Sequence, residues 1–185
     1  LLAALASCWP PSSLHAVHVH HGLTPLADDW ATHCADNCAR LGVGLSLERL
    51  DAAPPPAANI EQWARQARYD RLIAHARRLD AAAIVTAHHE DDQAETLLLR
   101  LARGAGPQGL AGIRLASRRD GVLLLRPLLD QPRRQLLAYA QRHRLQWVQD
   151  PSNQDDRFTR NALRNRVLPE FEQVVPGVQR SLARA

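Results

Sequence analysis

The most constraining feature of the sequence is a strand–turn–helix segment with polar residues crowded at its turn. The apolar run 82–85 is typical of a short buried strand, and the residues that follow, through Arg103, have the spacing of a helix. Between the two lies the sequence Thr86-Ala87-His88-His89-Glu90-Asp91-Asp92-Gln93-Ala94-Glu95-Thr96. In an open α/β sheet, ligands bind at the carboxyl ends of strands. The segment therefore predicts a functional site where this strand ends and the helix begins.

The predicted helix has two distinct faces at 100° per residue. One face is apolar and is expected to be buried; it holds Ala94, Leu97, Leu98 and Leu101. The opposite face is polar and holds Asp92, Glu95, Thr96 and Arg103. Asp91 and Asp92 also suit the positive end of the helix dipole, so ordinary capping is an alternative explanation for these acids.

The density of polar groups favours chemistry over capping. Two histidines, three acids and an amide lie within the seven residues that start at His88. Carboxylates in such a place can hold Mg²⁺ on a nucleotide or receive a substrate ammonium group. A zinc site is less well supported, because no second group of ligands has suitable spacing.

Composition sets the broader limits. A chain of 185 residues with 45% hydrophobic residues predicts one globular domain. The net charge of +4 permits an anionic partner. All 23 basic residues are Arg, which suits phosphate binding but is equally explained by compositional bias. Three Cys give no disulfide framework, and Cys34 and Cys38 are expected in the core. Without a signal peptide or an apolar run of membrane length, a cytoplasmic protein is predicted.

The first half of the chain alternates strands with helices. A strand over 14–19 ends in His20-His21-Gly22, a turn that either lines a pocket or is structural. A helix over 26–41 is ended by Gly42, and a strand over 43–50 follows. A stiff loop with three Pro is predicted over 51–58.

A long helix then begins at Asn59, with Gln62 placed for a capping box. Its apolar side is expected to hold Ile60, Trp63, Ala64 and Ala67. Another side carries Arg65, Arg68 and Arg71, although part of that stripe is explained by an ion pair between Glu61 and Arg65.

The second half is less regular. The glycine-rich segment 103–112 is a loop that either approaches a ligand or is only flexible, and a strand over 122–126 follows. Pro132 opens a helix to about Arg142, 147–148 is extended and 150–153 is a turn. The helix predicted over 157–168 carries on one face Arg157, Arg160, Asn161 and Arg164, which indicates either phosphate contact or a solvated surface. The alternation predicts a doubly wound parallel α/β fold.

Six blocks in this order carry a family resemblance. They are 17–23 (VHVHHGL), Glu61-x-x-Ala64-Arg65-x-x-Arg68-Tyr69, Thr86-Ala87-His88-His89-x-Asp91-Asp92-x-x-Glu95-Thr96, Arg103-Gly104-x-Gly106, Asp150-Pro151-Ser152-Asn153 and Arg160-Asn161-x-x-Arg164. Together they resemble the tRNA(Ile)-lysidine synthetase family of N-type ATP pyrophosphatases. The resemblance covers 14–169, and it implies an adenine nucleotide α-hydrolase-like (Rossmann-like) domain.

The resemblance also implies an activity. Members of the family are ATP-dependent ligases that join L-lysine to C2 of the wobble cytidine of isoleucine tRNA with a CAU anticodon, through an adenylated base. ATP and Mg²⁺ are the implied cofactors, tRNA(Ile) and lysine are the implied partners, and a homodimer is left open.

The resemblance assigns roles to the motif residues. It implies catalytic roles for Asp92, Glu95, His88 and His89, with Asp91 as the metal ligand and substrate contact. Phosphate, tRNA or other substrate contacts are implied for Arg103, Arg160, Asn161, Arg164, Arg65 and Arg68. The turn His20-His21-Gly22 would lie beside the nucleotide.

Two rivals and one departure accompany the resemblance. A tRNA 2-thiocytidine synthetase shares the fold, but its iron–sulfur cluster needs CxxC, whereas Cys34 and Cys38 are spaced CxxxC. A non-catalytic adenine-nucleotide-binding protein would not need the acidic turn. The family's SGGxDS loop is absent, so a fragment is expected: catalytic domain over 1–168, first strand upstream, linker to a C-terminal region over 169–185. The missing strand predicts a gap of about 9–10 Å between the strands near Leu14 and Ala82.

Overall fold

The computed structural model describes residues 1–50, 54–55 and 59–185, so most of the loop predicted over 51–58 lies outside the described residues. The chain forms two compact units. The first comprises residues 1–84 and 118–124, and the second comprises residues 85–117 and 125–185. The expectation of a single catalytic domain over 1–168 stays a prediction.

The first unit is built on a parallel strand pair. Its elements are α1 (Leu2–Cys8), β1 (His15–His20), α2 (Ala27–Leu41), β2 (Gly44–Arg49) and α3 (Ile60–Arg78). Strand β1 pairs in parallel with β2, from His15 opposite Gly44 to His20 opposite Arg49. Gly42 ends α2 in the left-handed region, with φ 66°, as predicted. The predicted succession of strand, helix and strand is therefore confirmed here.

Helix α3 supplies much of the core of this unit. The side chain of Asn59 accepts a hydrogen bond from the backbone N–H of Gln62 at 3.0 Å, which confirms the predicted cap. The apolar side differs from the prediction, because Ile60 in the first turn is exposed and the buried face begins one turn later. The core cluster consists of Tyr69, Ile73, Ala76, Ile84 and Leu124.

A second sheet contains three strands in the order β3–β5–β4. They are β3 (Ile84–Val85), β4 (Ala116–Arg119) and β5 (Val122–Leu125). Within the described residues β1 and β3 are not paired with each other, which agrees with the missing strand that the sequence analysis places between them. β4, which the sequence analysis missed, joins β5 through a two-residue turn. That turn, Asp120-Gly121, has positive φ at both positions, which is the geometry of a hairpin.

The second unit is mainly helical. Its helices are α4 (Glu90–Ala102), α5 (Arg133–Arg142), α6 (Thr159–Ala162), α7 (Leu168–Val174) and α8 (Val178–Arg184). A π-helical turn, Leu163–Val167, joins α6 to α7, so the helix predicted over 157–168 starts two residues late and is interrupted. Residues 147–148 form neither helix nor strand. Helix α8 packs against α4, with Val178 buried.

The faces of α4 depart from the prediction at two positions. Ala94 and Leu97 are buried as expected, but Leu101 is 47% exposed. Glu95, expected on an open polar face, is 0% exposed. The reason is that two arginines from the 159–167 segment cover the polar face of α4 and convert it into a buried interface. No helix within the described residues is long and apolar enough to span a bilayer.

Candidate functional site

The second unit holds a cluster of two carboxylates and two guanidiniums, which we call the acid–arginine cluster: Asp92, Glu95, Arg160 and Arg164. Arg160 donates from Nε to Glu95 Oε2 at 2.6 Å and from Nη2 to Asp92 Oδ1 at 2.8 Å. Arg164 donates from Nε to Glu95 Oε1 at 2.6 Å and from Nη2 to Glu95 Oε2 at 3.0 Å. Both oxygens of Glu95 are therefore occupied by guanidinium donors, the arrangement that suits the planar fork of arginine.

Local sequence explains how these side chains meet. Asp92 and Glu95 are three residues apart on α4 and project from one side of the helix. Arg160 lies in α6 and Arg164 in the π-helical turn. Single π-turns inside helices are frequent at functional sites, because they alter the direction of side chains along one face.

The charges of the four cluster residues cancel, but a further acid lies beside the cluster. Two carboxylates face two guanidiniums, so the four residues carry no net charge. Glu95, which accepts from Arg164, raises the pKa of that guanidinium, and the charges of Asp92 and Asp91 act in the same direction. With Asp91 included, three acids face two arginines, which leaves one net negative charge. The arrangement can accommodate one additional cationic group.

The remaining motif residues lie at the start of α4, where several of them form hydrogen bonds. Asp92 Oδ2 accepts a hydrogen bond from the backbone N–H of His89 at 2.9 Å. Asp91 Oδ1 accepts one from the backbone N–H of Arg133 at 2.9 Å. His89 Nδ1 is buried without a hydrogen-bond partner, 3.6 Å from Asp92 and 3.8 Å from Asp91. His88 Nδ1 lies 2.9 Å from the hydroxyl of Thr86.

Two predicted contact residues have different surroundings. Asn161 donates from Nδ2 to the carbonyls of Ser152 at 2.6 Å and Asp155 at 3.0 Å, so it holds the predicted turn at 150–153 against α6. Arg103 is exposed at the end of α4 and forms no ion pair with any described residue. The structure therefore brings Arg160 and Arg164 to the acids but leaves Arg103 apart from the acid–arginine cluster.

The first unit holds the predicted nucleotide turn. His20 is buried, with Nε2 3.2 Å from Asp28 Oδ1, and Gly22 has a left-handed φ of 68°. Both ring nitrogens of His21 are buried without a hydrogen-bond partner, and its ring meets Trp63 edge-on at 6.3 Å between centroids. Burial lowers the pKa of His21 to about 4, and the positive charges of Arg68, His18 and His20 add to the effect.

The arginines of α3 are exposed on the same unit. The Arg65 guanidinium lies 5.2 Å from the centre of the Tyr69 ring, and Arg119 approaches that ring at 4.8 Å. Neither Arg65 nor Arg68 forms an ion pair with a carboxylate within the described residues, in contrast to Arg71, which lies 3.9 Å from Glu48. The ion pair that the spacing of Glu61 and Arg65 predicts is therefore not formed among the described residues, although Arg71 of the same stripe does face an acid.

Sequence reasoning missed two side chains of the second unit. Gln93 donates to the carbonyl of Ile113 at 2.7 Å and accepts from its N–H at 2.6 Å, which fixes one end of the glycine-rich segment. Arg126 is buried directly after β5. Gln93 stood inside the central motif, and a basic residue ending an apolar strand was the available signal for Arg126.

Comparison with known proteins defines the class. The family described as the PP-loop domain matches residues 1–171, so the chain belongs to that family. This family match confirms the predicted α/β class. A solved structure agrees with it: a U34-tRNA thiolase from Methanococcus maripaludis with its [4Fe-4S] cluster has a TM-score of 0.74 at 16% identity, over 92% of this chain and 59% of that chain.

Curated relatives are more similar in sequence. A tRNA(Ile)-lysidine synthase of Pseudomonas aeruginosa is 48% identical over 99% of this chain and 41% of its own length. The synthase of the same name from Chromobacterium violaceum is 46% identical over 95% of this chain and 40% of its own length. The chain thus spans about two fifths of the curated relatives it matches, and the resemblance found in the sequence is confirmed.

Proposed function

We propose that the protein to which this chain belongs is an ATP-dependent ligase that joins lysine to C2 of the wobble cytidine of CAU-anticodon isoleucine tRNA, giving lysidine. The observation that carries the proposal is the 48% identity to a tRNA(Ile)-lysidine synthase over 99% of the chain. Identity at that level over nearly the whole chain supports a shared fold and a shared reaction.

The reaction has two balanced steps. The C2 oxygen of cytidine attacks the α-phosphate of ATP, and pyrophosphate leaves with its electron pair. The ε-amine of lysine, after losing a proton, then attacks C2, and AMP leaves with the former cytidine oxygen. The first step requires hydrogen-bond donors that bind the phosphates of ATP. The second step requires a group that positions the ammonium of lysine and accepts its proton.

The acid–arginine cluster suits the second step. Asp91, Asp92 and Glu95 exceed the two guanidiniums by one charge, which is the charge that one ammonium group supplies. Asp92 is the acid that we assign to lysine, because its side chain is 15% exposed whereas that of Glu95 is fully buried. Glu95 then acts through Arg160 and Arg164 as a positioning residue. His89, whose Nδ1 faces the acids without a hydrogen bond, is a candidate to accept the proton, with His88 beside it.

As the resemblance implies, the turn His20-His21-Gly22 of the first unit is assigned to the nucleotide, and Asp91 of the second unit is assigned to Mg²⁺. Asp91 fits a magnesium ligand, because one of its oxygens accepts from Arg133 and the other has no hydrogen bond to a described residue. No group of three or more His, Cys, Asp or Glu side chains in the described part of the chain is arranged to hold a metal, so the remaining ligands would be phosphate oxygens and water. When bound, the ion neutralises charge on the pyrophosphate that leaves.

The RNA contact is assigned first to α3. Arg65 and Arg68 are exposed without a carboxylate partner among the described residues, as is Arg103 in the second unit. Exposed, unpaired guanidiniums bind phosphates without losing an existing ion pair. Arg160 and Arg164 are less suited to this role, because their forks already hold carboxylates.

A thiolase-type reaction is the second candidate, since the solved structure of similar fold is a tRNA thiolase. The cysteines of this chain argue against it. Burial raises the pKa of the thiols of both Cys34 and Cys38, whereas iron–sulfur clusters are held by thiolates. Cys34 lies 3.4 Å from His18 Nδ1, Cys38 is buried, and Cys8 is exposed on α1.

The test is transfer of labelled lysine to tRNA by the full-length protein. We expect ATP-dependent incorporation of one lysine per CAU-anticodon isoleucine tRNA, and none into the same tRNA with uridine at the wobble position. Absence of incorporation by folded protein would contradict the proposal. Incorporation of labelled sulfur instead would establish the thiolase reaction, and nucleotide binding without any transfer would indicate a non-catalytic adenine-nucleotide-binding protein.

A further inference from the structure

Arg126 is a buried charge without a charged partner. It follows β5 in the second unit, and the residue is only 7% exposed. Nη1 donates to the carbonyl of Arg114 at 2.8 Å and to the hydroxyl of Ser117 at 3.0 Å. Nε is buried and has no hydrogen-bond partner. Both acceptors are neutral, so the guanidinium charge is not compensated by the groups that bind it.

The surrounding sequence explains this imbalance. No Asp or Glu occurs between Glu95 and Asp120, and this stretch contributes both acceptors of Arg126. No carboxylate in the described part of the chain forms an ion pair with Arg126, whereas Arg160 and Arg164 in the same unit each hold one. A guanidinium keeps its charge at any physiological pH, and a buried charge is costly unless it is paired. The described residues therefore supply no negative charge to this guanidinium.

The position of Arg126 favours a ligand as that partner. The carbonyl of Leu125 accepts a hydrogen bond from the N–H of Thr86 at 2.9 Å, so Arg126 follows the point where β5 meets the residue that opens the central motif. The next residues turn back to the start of α4, where the carbonyl of Gln131 accepts from the N–H of Glu90 at 3.1 Å. Arg126 thus belongs to the strand-end region from which the acidic turn also departs.

We propose that Arg126 binds a phosphoryl group, with Nε and the remaining guanidinium donors directed to its oxygens. The inference rests on the proposed function only for the source of that group, since ATP and tRNA both supply phosphates. Arginine is suited to this chemistry, because its planar fork matches two phosphate oxygens. The competing explanation is that the guanidinium serves only to hold the carbonyl of Arg114 and the hydroxyl of Ser117.

The test uses full-length protein, inorganic pyrophosphate as the probe, and titration calorimetry. Arg126→Gln keeps an N–H donor for the carbonyl of Arg114 but removes the charge, and Arg142→Gln, an exposed position on α5, removes the same charge as a matched control. We expect the affinity for pyrophosphate to fall at least about tenfold in Arg126→Gln and to change less than twofold in Arg142→Gln. Arg126→Lys, which restores the charge without the fork, should recover part of the loss.

Two further titrations identify the source of the phosphate. Weaker ATP binding with unchanged adenosine binding would assign the group to the nucleotide. A salt slope of tRNA binding lower by about 0.7–0.9, with ATP unaffected, would assign it to RNA. Affinities for pyrophosphate, ATP and tRNA all within twofold of wild type would overturn the proposal and leave a structural guanidinium. If Arg126→Gln does not fold, the same titrations with pyrophosphate, ATP and tRNA are made on Arg126→Lys, and their results test the proposal.

These outcomes are separate from those of the proposed function. Pyrophosphate binding is measured without lysine or tRNA, so failure of lysine transfer would not alter it. Conversely, unchanged affinities for pyrophosphate, ATP and tRNA in a variant of a protein that still transfers lysine would refute the role of Arg126 alone.

Discussion

At the scale of single residues, Glu95 has the largest structural consequence. Its carboxylate is completely buried and is held there by three guanidinium hydrogen bonds. Helical spacing predicted Glu95 on the polar face of α4, together with Asp92. It could not show that this side is buried, because the covering arginines are more than 60 residues away in sequence. Burial of a charge depends on long-range partners, which periodicity within one helix does not reveal.

We predict that Glu95→Gln lowers the free energy of unfolding by about 3 kcal/mol. A neutral amide leaves two guanidiniums without their anion, although both are about a quarter exposed, which limits the loss. Urea denaturation of the full-length protein measures the change.

Asp92→Asn is the matched control for that measurement. Its side chain is 15% exposed and an amide oxygen can still accept from Arg160, so we expect a loss of only about 1 kcal/mol. Equal and small losses in both variants would show that the buried ion pairs contribute little to stability.

His21 predicts a dependence of stability on pH. Its pKa in the folded protein is about 4, below the value of about 6.5 expected in the unfolded chain, so between these values the unfolded state binds more protons. The stability is therefore retained above pH 6.5 and declines as the pH falls from 6.5 towards 4. Burial lowers the pKa of His18 as well, which acts in the same direction. Urea midpoints measured across this range test the effect.

The control for the pH profile is His21→Asn, which removes the titrating ring. The variant should lose less stability than wild type between pH 6.5 and 4.5. If the two profiles are parallel, His21 is protonated equally in both states and the inferred burial of its ring is wrong.

At the scale of elements, the glycine-rich segment is held to α4 by two side chains. Gln93 forms two hydrogen bonds with the backbone of Ile113, and Arg100 donates to the carbonyl of Gly109 at 3.2 Å and to that of Ala111. The backbone leaves no room beside Gln93, since a Cβ added at Gly112 would lie 2.6 Å from Gln93 Oε1. The segment is therefore anchored at its end rather than freely flexible.

We predict that Gly112→Ala and Gln93→Ala each cost about 1 to 2 kcal/mol, because both abolish the same pair of hydrogen bonds. The double variant should cost little more than either single one, which is the signature of a shared interaction. Urea denaturation of the wild type, the two single variants and the double variant measures this double-mutant cycle. Gly106→Ala is the control, since an added Cβ there meets nothing within 4 Å. Full additivity of the two changes would contradict the contact.

The secondary structure was predictable where local signals agree, and not elsewhere. The cap at Asn59, the glycine at Gly42 and the positions of strands β1 and β2 all followed from local spacing. The hairpin β4–β5 had a signal in the dipeptide Asp120-Gly121, but β4 has the sequence Ala-Ser-Arg-Arg and lacks the apolar alternation of a strand. The absence of pairing between β1 and β3 was expected from the missing first strand of the family's fold and not from any local signal.

At the scale of the whole molecule, the arginines divide into those that a carboxylate holds and those that none holds. The net charge is +4. The arginines of the acid–arginine cluster form ion pairs with acids, whereas Arg65 and Arg68 on α3 have no carboxylate partner in the described residues. If the proposed function holds, the electrostatic attraction for RNA comes from the arginines that are not ion-paired.

We predict that Arg65→Gln combined with Arg68→Gln lowers the salt slope of tRNA binding by about 1.5, since each phosphate contact contributes about 0.7–0.9. Filter binding between 50 and 200 mM salt, roughly the range over which such slopes are measured, gives the value. Arg71→Gln, whose guanidinium faces Glu48, is the control and should change the slope less. An unchanged slope in the double variant would leave α3 as a solvated surface.

The central claim is that the acid–arginine cluster serves lysine transfer, and the most direct measurement is the transfer rate of full-length wild type and Asp92→Asn at saturating ATP. We predict ATP-dependent transfer by wild type and a fall of about 10- to 100-fold in the variant, because one charge-assisted contact is worth about 1.5–3 kcal/mol. Pyrophosphate release in the first step should remain near the wild-type rate. Near-normal lysine transfer by folded Asp92→Asn would contradict the proposed role of the acid–arginine cluster and indicate that Asp92 only caps the helix.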